Sequence, residues 1–160
     1  EKYTNPNKLA INGGSHGGLV VGAAMTQRPD LFKVVISEMG RLDMASLDKY
    51  TSGIHHFDEY GNPNNKEEFE SMLSYSPYHT IKEDVNYPTC LIITSENDDR
   101  VPPFQSYKFV ARLQNRTTQK NPIYLKVNKS AGHSGNISSY EKWVKQKSEF
   151  YSFIWEYLNN

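Results

Sequence analysis

The feature that most constrains this chain is a cluster of glycines around one serine at residues 13–18, Gly-Gly-Ser-His-Gly-Gly. An apolar segment, residues 8–12, precedes the cluster, and residues 18–26, which are small or apolar, follow it. Glycine permits backbone conformations and close contacts that other residues resist. The pattern therefore predicts a buried strand, a sharp turn at Ser15, and a helix that ends before Arg28-Pro29.

The rest of the sequence alternates between apolar strands and amphipathic helices. Strands are predicted at residues 34–37, 89–95 and 123–127, and helices at residues 104–114 and 141–158. Short apolar strands that alternate with helices favour an α/β fold, a mostly parallel sheet with helices on both faces. Because the first strand begins near the N-terminus, we expect this sheet to continue in sequence upstream.

Residues 41–85 form the one irregular stretch of the sequence. They are largely polar and are interrupted by glycines and prolines. Within the stretch, only residues 66–73 have the spacing of a short amphipathic helix. The remainder is therefore predicted to consist of loops.

Composition excludes several classes of function. The 160 residues include 18 basic and 18 acidic side chains, so no net charge favours nucleic acid or an anionic membrane. No apolar run approaches the roughly 20 residues of a membrane-spanning helix. Cys90, the only cysteine, lies in an apolar segment and is predicted to be a core residue rather than a nucleophile. Residues 1–3 lack the apolar core of a signal peptide, which with the single cysteine favours the cytoplasm.

Ser15 has the sequence context of a catalytic nucleophile. It is the serine of a G-x-S-x-G motif placed between a predicted strand and a predicted helix, which is the setting this motif requires. The helix N-terminus would also present backbone N–H groups to an oxyanion, and that of His16 is the natural donor. The alternative interpretation is a glycine-rich turn in which Ser15 only caps the helix.

A nucleophilic serine needs a general base and an acid that orients the base. Asp98 and His133 each follow a predicted strand, in the order serine, acid, histidine that α/β-hydrolases use. Glu96 and Asp99 compete with Asp98 for the role of acid. Taken together, the three positions predict a triad of Ser15, Asp98 and His133.

The other histidines are weaker candidates for chemistry. His55 and His56, with Asp58 and Glu59 nearby, contain types of metal ligand. Adjacent histidines on a loop rarely share one ion, however, so no metal site is predicted. His79 is interpreted as structural. No organic cofactor is implied either.

Several segments resemble the prolyl oligopeptidase family of serine peptidases. The segments are residues 13–18, Gln-Arg-Pro-Asp-Leu-Phe at 27–32, Leu-Asp-Met at 42–44, Asp-Glu-Tyr-Gly at 58–61, Asp-Asp-Arg-Val-Pro at 98–102 and Ala-Gly-His at 131–133. The resemblance covers nearly the whole chain. It implies an α/β-hydrolase-type fold in which residues 1–160 are the C-terminal part of the catalytic domain, without the β-propeller domain of the family. It also implies short peptides as substrates and the N-terminal part of the same enzyme as a partner.

The resemblance assigns roles to particular residues. It implies that Ser15, Asp98 and His133 are the triad and that Arg100 binds a carbonyl or carboxylate oxygen of the peptide. The alternative for Arg100 is an ion pair with Asp98 or Asp99 that only shapes the loop. In this family a tyrosine from upstream sequence supplies a second oxyanion donor beside the backbone N–H after the serine.

The resemblance also points to a substrate pocket lined by Arg41, His56, Phe57 and Tyr60. Proline-specific members stack the proline ring on a tryptophan at the position of His56 and have an aliphatic residue at that of Arg41. An imidazole and a guanidinium are poorer surfaces for an apolar ring, so a weak preference for proline is expected. The alternative is that Arg41 points to solvent and Phe57 replaces the tryptophan.

The expected function is therefore peptide hydrolysis through an acyl-enzyme on Ser15. One alternative is an esterase or a relative of the acylaminoacyl-peptidases, which would use the same triad on a different substrate. A second alternative is an inactive fragment that serves as a binding or assembly module.

Overall fold

The computed structural model describes residues 3–135 and 139–159, with Thr51 described for its backbone only. Glu1 and Lys2, which entered the expectation about localisation, lie outside these ranges. In the described part of the chain, no helix combines the length and the apolar character needed to cross a bilayer.

Within these ranges a four-stranded sheet organises the fold. Its strands are β1 Ala10–Gly14, β2 Val34–Glu38, β3 Thr89–Ser95 and β4 Ile123–Asn128. All neighbouring pairs are parallel, and the order in space is the order in the chain. The loops that follow the strands therefore meet at one edge of the sheet, where ligands of parallel α/β proteins bind.

Helices cover both faces of the sheet, which confirms the predicted α/β architecture. The three long ones of the described residues are α1 His16–Gln27, α5 Phe104–Gln114 and α6 Tyr140–Asn159. Alternate residues of a strand point to opposite faces. Val35 of β2 accordingly packs with side chains of α1 and α5, whereas Val34 and Ile36 pack with Phe150 of α6.

Between β2 and β3 the chain forms short helices, where loops were predicted for most of residues 41–85. Where loops were predicted these are a 3₁₀ segment Met44–Lys49, α2 Thr51–Ile54 and α3 Phe57–Tyr60, whereas α4 Lys66–Tyr75 is the helix predicted at residues 66–73. Their apolar side chains form a small second core with Leu19 of α1. The loop prediction was wrong because one or two helical turns are too short to show a helical periodicity.

The junction of β1 and α1 is tighter than the sequence predicts. β1 continues through Gly13 and Gly14, which pair with the last two residues of β2, and α1 begins at His16. Strand pairing uses main-chain groups, so glycines can extend a strand without an apolar side chain to signal it. Ser15 alone forms the turn.

Candidate active site

Ser15 adopts a strained backbone conformation in the turn between β1 and α1. Its φ of 54° and ψ of −116° are rare for a residue with a side chain. Its N–H donates to the carbonyl of Glu38 at 2.8 Å, and its carbonyl accepts from the N–H groups of Gly18 and Leu19. The hydroxyl makes no capping bond to the described first turn of α1. The alternative of a serine that only caps the helix is therefore not what the structure shows.

Two glycines of the motif are required by close backbone contacts. A Cβ at Gly13 would lie 2.2 Å from the carbonyl oxygen of Gly17, and one at Gly18 would lie 2.6 Å from Cα of Gly40. Backbone atoms cannot rotate away as a flexible side chain can. The glycines thus let α1 start directly against β1 and let the chain after β2 pass beside the first turn of α1.

We expect Gly13→Ala to destabilise the protein by about 1–3 kcal/mol, the usual cost of overpacking. The matched control is Gly17→Ala, because no atom lies within 4 Å of the position its Cβ would take. Thermal unfolding of the two variants and of the unmodified protein measures both effects. Equal midpoints for the two variants would contradict the steric explanation.

A chain of hydrogen bonds links Ser15, His133 and Asp98. Nε2 of His133 lies 3.0 Å from Oγ of Ser15, and Nδ1 lies 2.8 Å and 3.0 Å from the two carboxylate oxygens of Asp98. The Asp98 side chain has no exposed area, and that of His133 is 13% exposed. An imidazole that donates from Nδ1 to a carboxylate presents an unprotonated Nε2 to the serine hydroxyl.

The Asp98 carboxylate is oriented by the loop after β3. Its Oδ1 accepts from the backbone N–H groups of Arg100 at 3.0 Å and Val101 at 2.8 Å. These bonds, with that from the imidazole, satisfy the buried carboxylate. Asp99, one of its two competitors in the sequence, is exposed. The structure therefore brings Asp98, and not Asp99, to the histidine.

Glu96, the other competitor, holds the loop that carries His133. Its carboxylate accepts from the backbone N–H of Ser130 at 3.0 Å. The N–H of Asn97 donates to the carbonyl of Ala131 at 2.9 Å. These contacts join the loops after β3 and β4, and sequence reasoning missed them because the partners lie 34 residues apart.

Arg100 presents an exposed side chain on the same loop. Among the described residues, no carboxylate lies within ion-pair distance of its guanidinium. The alternative of an ion pair with Asp98 or Asp99 is therefore not observed. The guanidinium is available to a ligand, and its role in binding a peptide oxygen stays a prediction.

Arg41 and Tyr60 lie beside the turn that holds Ser15. Arg41 is only 4% exposed, so it does not point to solvent, and its guanidinium carbon lies 5.5 Å from the centre of the Tyr60 ring. The Tyr60 hydroxyl lies 2.5 Å from Nδ1 of His16, and the two rings stack at 5.6 Å. Because His16 directly follows Ser15, these contacts place the side chains of Arg41 and Tyr60 next to the turn.

The other two residues of the predicted pocket, His56 and Phe57, make different contacts. His56 lies 5.8 Å from the Tyr60 ring, and its Nδ1 lies 3.0 Å from a carboxylate oxygen of Glu59. The same carboxylate approaches Nδ1 of His16 to 3.7 Å. Phe57 packs against the small core of the segment between β2 and β3, and Tyr60 packs against the same core. Tyr60 therefore contacts both the core and His56, whereas Phe57 is described only in the core.

Burial raises the pKa of the Tyr50 and Tyr60 hydroxyls, and the charge of Arg41 opposes this effect at both. Both shifts are upward from about 10, so both hydroxyls are protonated at neutral pH. Tyr60 is thus a neutral hydrogen-bonding partner of His16. Neither tyrosine supplies a negative charge to Arg41.

Other reactive side chains of the described residues take no part in this arrangement. Cys90 is fully buried, and burial raises the pKa of its thiol, so it lies in the core as the sequence predicts. Nδ1 of His79 lies 2.9 Å from the hydroxyl of Ser76 and 3.7 Å from a carboxylate oxygen of Asp43. Across the described ranges, no three His, Cys, Asp or Glu side chains are grouped so as to hold a metal ion.

Known proteins resemble the whole of this chain. The model of the prolyl oligopeptidase family matches residues 1–160. A prolyl endopeptidase of Dictyostelium discoideum is 39% identical over 162 residues, which cover 99% of this chain and 21% of that relative. A prolyl endopeptidase of Elizabethkingia miricola is 43% identical over 152 residues, 94% of this chain and 21% of that relative. The chain thus spans about a fifth of the length of these curated relatives.

Solved structures give the same result. A structure from a study of two prolyl endopeptidases matches with a TM-score of 0.94 at 41% identity, over 99% of this chain and 23% of that one. Oligopeptidase B from Leishmania major matches with a TM-score of 0.92 at 32% identity, over 99% of this chain and 22% of that one. On sequence and on structure, the chain belongs to the prolyl oligopeptidase family.

Proposed function

We propose that this chain carries the catalytic triad of a serine peptidase that hydrolyses short peptides. Ser15 is the nucleophile, His133 the general base and Asp98 the acid that orients it. The observation that carries the proposal is the continuous hydrogen-bonded chain from Oγ of Ser15 through the imidazole to the buried carboxylate. The strained turn supports it, because functional sites are where such strain concentrates.

The geometry supports a reaction in two halves, acylation of Ser15 and then deacylation by water. As Oγ of Ser15 attacks the peptide carbonyl, Nε2 of His133 takes its proton and then delivers that proton to the leaving amine. The acyl-enzyme ester on Ser15 is opened by a water molecule whose proton again passes to Nε2. Asp98 holds the imidazole in one tautomer and stabilises its positive charge during both halves.

The N-terminus of α1 supplies the electrostatic stabilisation of the intermediate. The backbone N–H of His16 follows the nucleophile and is our proposed donor to the oxyanion. The helix dipole places partial positive charge at the same end. One such donor is worth about a hundred- to a thousandfold in kcat.

The relatives support a peptide as the substrate. Prolyl oligopeptidase B from Galerina marginata, whose structure matches with a TM-score of 0.90 at 36% identity, has been solved with a 35-residue hydrolysis and macrocyclization substrate. We propose that residues 1–160 are the C-terminal part of a peptidase catalytic domain. The rest of the full-length protein would complete the site, and Arg100 would bind a peptide oxygen.

Parallel assays of peptide amides and simple esters test this proposal. We expect the full-length protein to cleave both, since an acyl-enzyme mechanism accepts either leaving group. A burst of the first product should precede steady turnover on the ester, where deacylation is the slower half. Hydrolysis of esters with no detectable cleavage of any peptide would instead support an esterase.

A further inference from the structure

Arg41 is a buried cation for which the described residues supply no anion. It is 4% exposed, and its Nε has no hydrogen-bond partner in the part of the chain that the structure describes. One terminal nitrogen donates to the hydroxyl of Ser52 at 3.2 Å, and the guanidinium lies over the Tyr60 ring and interacts with the neutral hydroxyls of Tyr50 and Tyr60. Within residues 3–135 and 139–159, no carboxylate lies within ion-pair distance. Buried arginines are normally paired, because an uncompensated buried charge is costly.

Two acidic side chains of this region pair with residues other than Arg41. Asp43, two residues along, is buried; its Oδ2 pairs with Lys108 and accepts from the hydroxyl of Ser46 at 2.6 Å, and its Oδ1 lies 3.7 Å from Nδ1 of His79. Glu59 is shared between His16 and His56. Residues 3–135 and 139–159 therefore offer Arg41 no carboxylate within ion-pair distance.

The position of Arg41 is fixed by the turn that holds the nucleophile. Gly40 packs against Gly18 in the first turn of α1, and the hydroxyl of Ser37 donates to the carbonyl of Gly18 at 3.1 Å. Arg41 is the next residue after this contact. Its guanidinium then reaches the Tyr60 ring, whose hydroxyl contacts His16. Main chain and side chain both place it beside the reacting serine.

We propose that Arg41 recognises the carboxylate of an acidic residue, glutamate or aspartate, whose peptide carbonyl Ser15 attacks. The inference rests on the proposed function and names its substrate class. A guanidinium binds a carboxylate through two parallel N–H donors, and Nε is one donor of such a fork. A substrate carboxylate would supply the missing anion, whereas a lysine side chain would add a second cation.

Five peptides that differ only at the attacked residue test the proposal on the unmodified full-length protein. The residues are Glu, Gln, Ala, Lys and Pro, compared by kcat/KM at pH 7. We expect Glu to exceed Gln at least tenfold and Lys at least a hundredfold, and Pro to exceed Ala by no more than about tenfold. Cleavage after Glu that is no faster than after Gln, or a proline preference above a hundredfold, would overturn the proposal.

Substitutions of Arg41 test whether this residue causes the preference for glutamate over glutamine. Arg41→Met should bring the Glu-to-Gln ratio close to one, and Arg41→Lys should leave an intermediate ratio, because a single ammonium lacks the fork. The control is Arg28→Met, since Arg28 is exposed and paired with Asp30 on the surface; it should leave the ratio unchanged. If Arg100→Met abolished the ratio and Arg41→Met preserved it, the proposal would fail.

Failure of this inference can be told from failure of the proposed function. A fluorophosphonate probe labels a competent serine whatever side chain the substrate carries. Labelling of Ser15 together with peptide cleavage that ignores charge would reject only the role of Arg41. Absence of labelling and of peptide cleavage would reject the peptidase function itself.

Discussion

Replacing Ser15 with alanine should lower kcat for peptide hydrolysis by on the order of 10⁶ in the full-length protein. The hydroxyl supplies the nucleophile, and its bond with His133 is its described side-chain contact, so folding should not change. His133→Ala should cost a similar factor. The double variant should be no slower than either single one, because the members of a triad act as a unit.

The control for this experiment is Ser74→Ala, which removes an exposed hydroxyl bonded only to its own helix among the described residues. It should leave turnover unchanged. Circular dichroism and thermal unfolding should match for all variants. A Ser15→Ala protein that kept a substantial part of its peptidase activity would show that another residue is the nucleophile.

Asp98→Asn should lower kcat by about 10⁴ with little loss of structure. The amide oxygen can still accept the backbone bonds from Arg100 and Val101, but the amide N–H₂ facing Nδ1 favours the tautomer with a proton on Nε2. That tautomer cannot accept the proton of Ser15. Steady-state kinetics on a peptide amide measures the effect.

Asp99→Asn is the matched control, because the neighbouring carboxylate is exposed. It should change kcat by less than threefold. Equal losses in Asp98→Asn and Asp99→Asn would mean that the charge of the loop matters rather than the bond to the imidazole. A loss confined to Asp99→Asn would reject the assignment of the acid.

The sheet and the meeting of Ser15, His133 and Asp98 at its edge were predictable from sequence for one physical reason. Strands of a parallel sheet share a direction, so residues just after them gather at one edge whatever their separation in the chain. Ser15 and His133 are 118 residues apart, yet each follows a strand and their side chains meet. Apolar runs mark such strands clearly, because both faces of the sheet are covered.

The contacts of the side chains around Ser15 were less predictable from the sequence. Tyr60 and His16 are 44 residues apart, and their contact depends on helices of one turn that leave no periodic signal. The resemblance to a family placed Arg41 at a pocket but gave no information about its burial. That no carboxylate of the described residues pairs with Arg41 is a property of three-dimensional packing, which only the structure shows.

The most direct test of the account is covalent labelling of the full-length protein with a fluorophosphonate, followed by mass spectrometry of the digested product. We predict one modified peptide, with the phosphonyl group on Ser15, and its loss in Ser15→Ala and in Asp98→Asn at the same probe concentration. Ser74→Ala should be labelled as fully as the unmodified protein. Modification of another serine, or labelling that persists in Ser15→Ala, would contradict the assignment of Ser15 as the nucleophile.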